Sequence, residues 1–142
     1  MTALTIGYVS RKTGVKVPTI RYYEQIGLLA EPERSAGNQR TYRGGAIKRL
    51  MFIAHARELG FSLEQIRELL HLADDPEQPC EQANEIAVQH LAHIESRVKR
   101  LRSLIKELLN TVHVCGSTGT IADCRVIETL ADHGKCLSHE HQ

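Results

Sequence analysis

Tryptophan is absent, and four tyrosines and two phenylalanines are the only aromatics in 142 residues. Sandwich and barrel cores lean on aromatic and β-branched side chains, so a mainly β fold is disfavoured. No apolar run approaches the ~20 residues that cross a bilayer, which predicts no membrane partner. The opening Met-Thr-Ala-Leu-Thr-Ile lacks a basic stretch followed by an apolar one, so no secretion signal is expected. The predicted compartment is the cytoplasm, where the four cysteines are reduced and serve as ligands or bystanders rather than disulfides. Glycine-rich phosphate loops, nucleophile elbows and His-Glu-x-x-His are all missing, so an enzyme is not expected. What remains is 42% hydrophobic and 25% charged, and Leu, Ala, Glu, Arg and Ile dominate, which favours helix.

A net charge of +1 hides an asymmetry. Residues 1–70 hold eleven Lys/Arg against six Asp/Glu; residues 71–142 hold seven against eleven. A front half at +5 suits a polyanion, and a back half at −4 does not. An unevenly solvated surface reads the same charges equally well.

The front half reads as short helical units. Residues 5–13 form an amphipathic helix, with Ile6 and Val9 on one face and Gly14 as a left-handed cap. A second helix starts near Val17-Pro18-Thr19, because proline fits a first helical turn, and stops before Gly27. Two short helices around a glycine turn make a helix-turn-helix, or any helical hairpin. Gly37-Asn38 is a turn dipeptide and residues 39–42 tolerate a strand, so a two-stranded wing is expected with Arg34 and Arg40 on its arms. Such arginines would hold phosphates on both sides of an inserted helix. A third helix spans about 46–59, its apolar residues Ile47, Leu50, Met51, Ile53 and Ala54 matching a 3.6-residue period. Ser62 and Gln65 form a capping box opening a fourth, whose buried stripe is Leu63, Ile66, Leu69 and Leu70.

Past an acidic, proline-bounded linker (74–80), the strongest periodic signal begins. Ala87, Leu91, Ile94, Val98, Leu101, Ile105, Leu108 and Val112 alternate at spacings of four and three, a heptad seam within a helix over 81–113. So short a chain has little else to cover ~45 Å of helix, which predicts a homodimer; the seam leaves parallel and antiparallel pairing open. The segment 114–142 is expected to be a glycine-bearing loop, a short closing helix and a polar tail. The linker at 74–80 makes 1–73 the front domain.

Cys80 precedes the long helix, and Cys115 and Cys124 follow it. Thiolates select soft ions over magnesium or calcium; two bracketing a short loop could also be incidental. Thirty-five helical residues span ~52 Å, so Cys80 and Cys115 cannot meet within one chain. In an antiparallel dimer, Cys80 of one protomer would lie beside Cys115 and Cys124 of the other. His113, Cys136, His139 and His141 are possible accessory ligands. His55 and His71 are expected to be structural, and His90 and His93 to lie on the coiled-coil surface.

Together, Thr5-Ile6-Gly7, Thr19-Ile20-Arg21-Tyr22-Tyr23-Glu24, Gly27-Leu28-Leu29, Arg34-Ser35, Arg40-Thr41-Tyr42 and Arg57-Glu58-Leu59-Gly60-Phe61-Ser62-Leu63 resemble the MerR family of bacterial transcription regulators. The resemblance covers the whole chain. It implies a mainly α fold: a winged helix-turn-helix, a long dimerisation helix in an antiparallel coiled coil, and a C-terminal metal-binding loop. It implies that Thr19, Arg21, Tyr22 and Tyr23 contact DNA from the recognition helix, and Arg34, Arg40 and Tyr42 from the wing. Family members grip an over-long promoter spacer in double-stranded DNA and distort it when inducer binds, so that RNA polymerase reads both promoter elements. Gln39, where many relatives carry an aromatic, and Gly44-Gly45, where acidic residues usually start the next helix, depart from the pattern.

The effector implied is a divalent soft metal ion. Drug-sensing members carry a large further domain, and the iron–sulfur branch clusters four cysteines. Copper(I), silver and gold sensors carry serine at the Cys80 position, and a third thiolate suits a divalent ion. The ligand set Cys80, Cys115 and Cys124 resembles that of mercury and lead/cadmium sensors; zinc would need His113, the tail or water as a fourth ligand. Lead, cadmium and zinc are ranked above mercury. A thiol-redox or electrophile-responsive regulator of the same family is the alternative, followed by a constitutive DNA-bending protein with structural zinc.

Overall fold

The structure is a computed structural model that describes residues 3–115 and 119–132, leaving aside the side chains of Val114 and Cys115. The described chain is mainly helical and divides into two compact units, 1–83 and 84–142. The division falls just inside the long helix, not at the linker.

In the first unit, β1 (Leu4–Thr5) leads directly into α1 (Ile6–Thr13). Thr5 caps α1 by accepting the Tyr8 amide at 3.2 Å. Arg11 and Lys12 sit in its last turn, where the helix dipole favours cations. Gly14 ends the helix at φ 75°, a conformation that costs glycine no Cβ clash. Two hydroxyls brace this turn: Ser10 donates to the Val15 carbonyl at 2.7 Å, and Thr13 donates to Val9 at 2.8 Å. α2 (Val17–Gln25) starts with Pro18 in its first turn and stops at Gly27, where φ is 78°.

The chain then forms β2 (Glu33–Arg34) and β3 (Arg40–Tyr42). Asn38, at φ 63°, makes the turn between them, and its amide donates to Ser35 at 2.9 Å. Both pairs are antiparallel, in the order β1-β3-β2, with Leu4 opposite Tyr42 and Arg34 opposite Arg40. The wing therefore has three strands, not the expected two. A two-residue strand carries no readable alternation; β1 exists because the edge of β3 needs backbone partners.

α3 (Gly44–Glu58) and α4 (Leu63–Ala73) complete the unit. Gly44 and Gly45 are helical after all, with neither a side-chain cap nor an acidic first turn. The Ser62–Gln65 capping box is present in both directions, at 3.1 and 2.9 Å. Ile20, Leu28, Leu50, Ile53, Ile66 and Val9 are the fully buried centre of the core. Met51, one of the residues of the apolar period, is half exposed, since Leu50, Ile53 and Ala56 take the inward face of α3. His55 and His71 are exposed rather than structural. Arg49 ties the elements together, donating to the Leu28 carbonyl at 2.9 Å and to Asp74 at 3.1 Å.

The second unit is built on α5 (Glu81–Cys115), one unbroken helix of 35 residues. Its seam is largely bare within the single chain: Leu91, Leu101, Ile105, Leu108 and Val112 are each more than half exposed, while Ile94 is partly buried. His93 is on the surface as expected, whereas His90 is buried, as are Glu107 and Thr111 further along the helix. A short 3-10 turn (Ile121–Asp123) precedes α6 (Arg125–Ala131), the expected closing helix. No described helix is long and apolar enough to cross a membrane.

Candidate nucleic-acid interface and metal ligands

Three of the sequence-predicted residues come together. Arg21 from α2 and Arg34 and Arg40 from the wing line one open cleft of about 370 Å³, with Thr5, Ile6, Asn38 and Gln39. Arginine side chains lining one open hollow suit an anion with several acceptor oxygens, such as a backbone phosphate. Tyr22 is half exposed on the recognition helix, and Thr19 is partly buried there. Arg34 also donates to the Asn38 carbonyl at 3.1 Å, which holds it across the wing turn.

Tyr23 and Tyr42 do not join this surface. Both are core residues, 8% and 3% exposed, not surface contacts. Inward positions on a short helix and a short strand have to fill a small core, and these rings do so. The Tyr42 hydroxyl donates to the Glu24 carboxylate, whose other oxygen accepts the Arg40 Nε–H at 3.3 Å. Burial, then the hydrogen bond to Glu24 and its negative charge, push the Tyr42 phenol up; Arg40 and Arg21 oppose this and lose. Glu24 itself is 6% exposed at its side chain. Its role was not read from the sequence. Its partners lie 16 and 18 residues away, beyond any helical or strand period. A carboxylate among the arginines of the basic half was the one available signal.

The cysteines are distributed along the chain. Cys80 is exposed in the turn before α5. Cys115 is the last residue of α5 rather than a loop residue beyond it. Cys124 is partly buried between the 3-10 turn and α6. His113 is exposed in the last turn of α5. Cys136, His139 and His141 lie outside the described residues. Among the described residues of one chain, no three His, Cys, Asp or Glu side chains gather as a metal site.

A four-helix unit that carries Arg21 on its second helix beside a strand wing has the layout of a winged helix-turn-helix DNA-binding fold. The chain belongs to the MerR family: the profile of MerR HTH family regulatory proteins matches residues 4–72, and that described as MerR, DNA binding, matches 47–111. It is 37% identical to the HTH-type transcriptional regulator HmrR of Sinorhizobium medicae over 137 residues, 96% of this chain and 92% of that one. It is 38% identical to the HTH-type transcriptional regulator ZntR of Escherichia coli over 128 residues, 88% of this chain and 90% of that one. Its fold matches the transcription regulator PbrR691 from Ralstonia metallidurans in complex with lead(II) at a TM-score of 0.80. That match has 38% identity and covers 89% of this chain and 98% of the other. The chain is a transcription regulator of this family; the relatives are regulators, and PbrR691 is one that holds lead(II).

Proposed function

We propose that the chain works as a homodimer that binds double-stranded promoter DNA and activates transcription when it holds a divalent soft metal ion. In this reading α2 enters the major groove with Thr19, Arg21 and Tyr22, and Arg34 and Arg40 of the wing grip flanking phosphates. The front domain 1–73, the linker 74–80, the dimerisation helix and the segment 114–142 divide the work. Metal binding changes the bend and twist of the promoter spacer, so that RNA polymerase reads both promoter elements. The genes controlled are those of metal resistance or efflux, and the protein acts in the cytoplasm.

One observation carries this reading: α5 has a largely bare apolar seam, with a cysteine before its first residue and another at its last. Antiparallel pairing through that seam brings Cys80 of one protomer beside Cys115 and Cys124 of the other. The donor set fits the ion. Three thiolates suit lead, cadmium or mercury in a three-coordinate site, and zinc with a fourth ligand from His113, Cys136, His139, His141 or water. Lead, cadmium and zinc rank above mercury.

The test is an anaerobic titration of the reduced protein with lead, cadmium, zinc, mercury and copper(I), each competed against a chelator. One or two divalent ions per dimer are expected, read by thiolate-to-metal absorption and lost in Cys115→Ser. Cys80→Ser should weaken divalent binding more than copper(I) binding. Oxidant-dependent activation without stoichiometric metal would replace this reading with the thiol-redox one.

A further inference from the structure

The Glu24 carboxylate has both oxygens engaged and almost no exposure. One oxygen holds the Tyr42 hydroxyl at the end of β3, and the other holds the Arg40 Nε at its start. Glu24 stands on α2, so the recognition helix and the wing are joined through one side chain. Arg40 spends one of its five N–H donors on Glu24 and keeps four on its terminal nitrogens. Those belong to the group that lines the cleft with Arg21 and Arg34.

We propose that Glu24 is a positioning residue for DNA binding: it holds Arg40 so that the guanidinium bridges the buried carboxylate and a DNA phosphate. The proposal rests on the DNA-binding reading above. Its chemistry needs an arginine. A guanidinium presents a planar fork that can serve two anions at once, whereas a lysine ammonium is a single point charge. The arrangement also reverses a simple electrostatic rule. Deleting a negative charge from a DNA-binding surface ordinarily strengthens attraction to a polyanion. Here the same deletion frees Arg40 and loses a phosphate contact.

The experiment measures binding of the full chain to a random-sequence DNA duplex across a salt series, for wild type, Glu24→Gln, Arg40→Lys and Arg40→Ala. Wild-type binding should fall with salt along a line whose slope counts the phosphate contacts. Glu24→Gln should bind roughly tenfold more weakly at low salt, with a slope shallower by about one contact. Arg40→Lys, which keeps the charge, should shift the slope as Arg40→Ala does. Glu24→Gln combined with Arg40→Ala should be no weaker than Arg40→Ala alone, because both remove one contact. Tighter or unchanged binding in Glu24→Gln at an unchanged slope overturns the proposal. If Glu24→Gln fails to fold, Arg40→Lys decides it: wild-type affinity and slope in that variant overturn it equally. A wild-type chain that does not bind the duplex overturns the DNA-binding reading and this proposal with it. Wild-type binding with unchanged variants overturns this proposal alone.

Discussion

Leu101→Ala tests the dimer seam most directly. Leu101 is 54% exposed in the single chain, so its substitution leaves the first unit's core untouched and a partner helix would cover the exposed half. Burying a whole leucine side chain is worth about 1.5–3 kcal/mol, so covering half is worth about 1 kcal/mol. The substitution occurs in both protomers, which makes the loss about 2 kcal/mol per dimer before any cavity is counted. At 1.4 kcal/mol per tenfold, the dimer dissociation constant should rise roughly thirtyfold. Sedimentation equilibrium over a concentration series reads this directly, with far-UV circular dichroism reporting that helix content is kept. Lys99→Ala, on an exposed position off the seam, should leave association unchanged. A Leu101→Ala protein that associates like wild type would refute the seam as the dimer contact. A Lys99→Ala protein weakened equally would show that some other face pairs.

Three further outcomes are expected. Ser62→Ala breaks one side of the capping box on α4 and should cost about 1 kcal/mol in chemical denaturation; no change would mean that the Gln65 side chain alone holds the helix start. The Tyr42 phenol is raised in the fold from 10.0, so the stability it contributes is complete below that value and is lost as pH rises through the folded one. Tyr42→Phe should therefore shrink the drop in denaturation midpoint between about pH 8 and about pH 11, and an undiminished drop would place the alkaline loss elsewhere. Arg21→Ala should weaken DNA binding and leave the metal titration as it is; preserved DNA affinity would remove α2 from the interface.

Much of the organisation was legible because it is written in local chemistry. Gly14, Pro18 and Gly27 bound the first two helices through backbone constraints that act within a turn. Ser62 and Gln65 announce α4 because a capping box needs only three residues of spacing. The seam of α5 shows as a period, and the structure leaves it largely bare as that period requires. Arg21, Arg34 and Arg40, which line one cleft, stood out by charge and by family motif.

Long-range packing decided the rest. Tyr23 and Tyr42 carry polar tips that read as surface contacts, yet a unit with so few large apolar rings needs both in its core. Leu4 and Thr5 become a strand only because β3 presents an open edge to them. His90 is buried and His55 exposed, against expectation, because side-chain exposure depends on neighbours that a single helix does not name. Glu24 acquires its two partners from a strand 16 and 18 residues away. Local sequence determines turns, caps and periods because their energies arise within a few residues. Which polar group is buried, and which arginine it holds, depends on contacts that exist only once the chain has closed on itself.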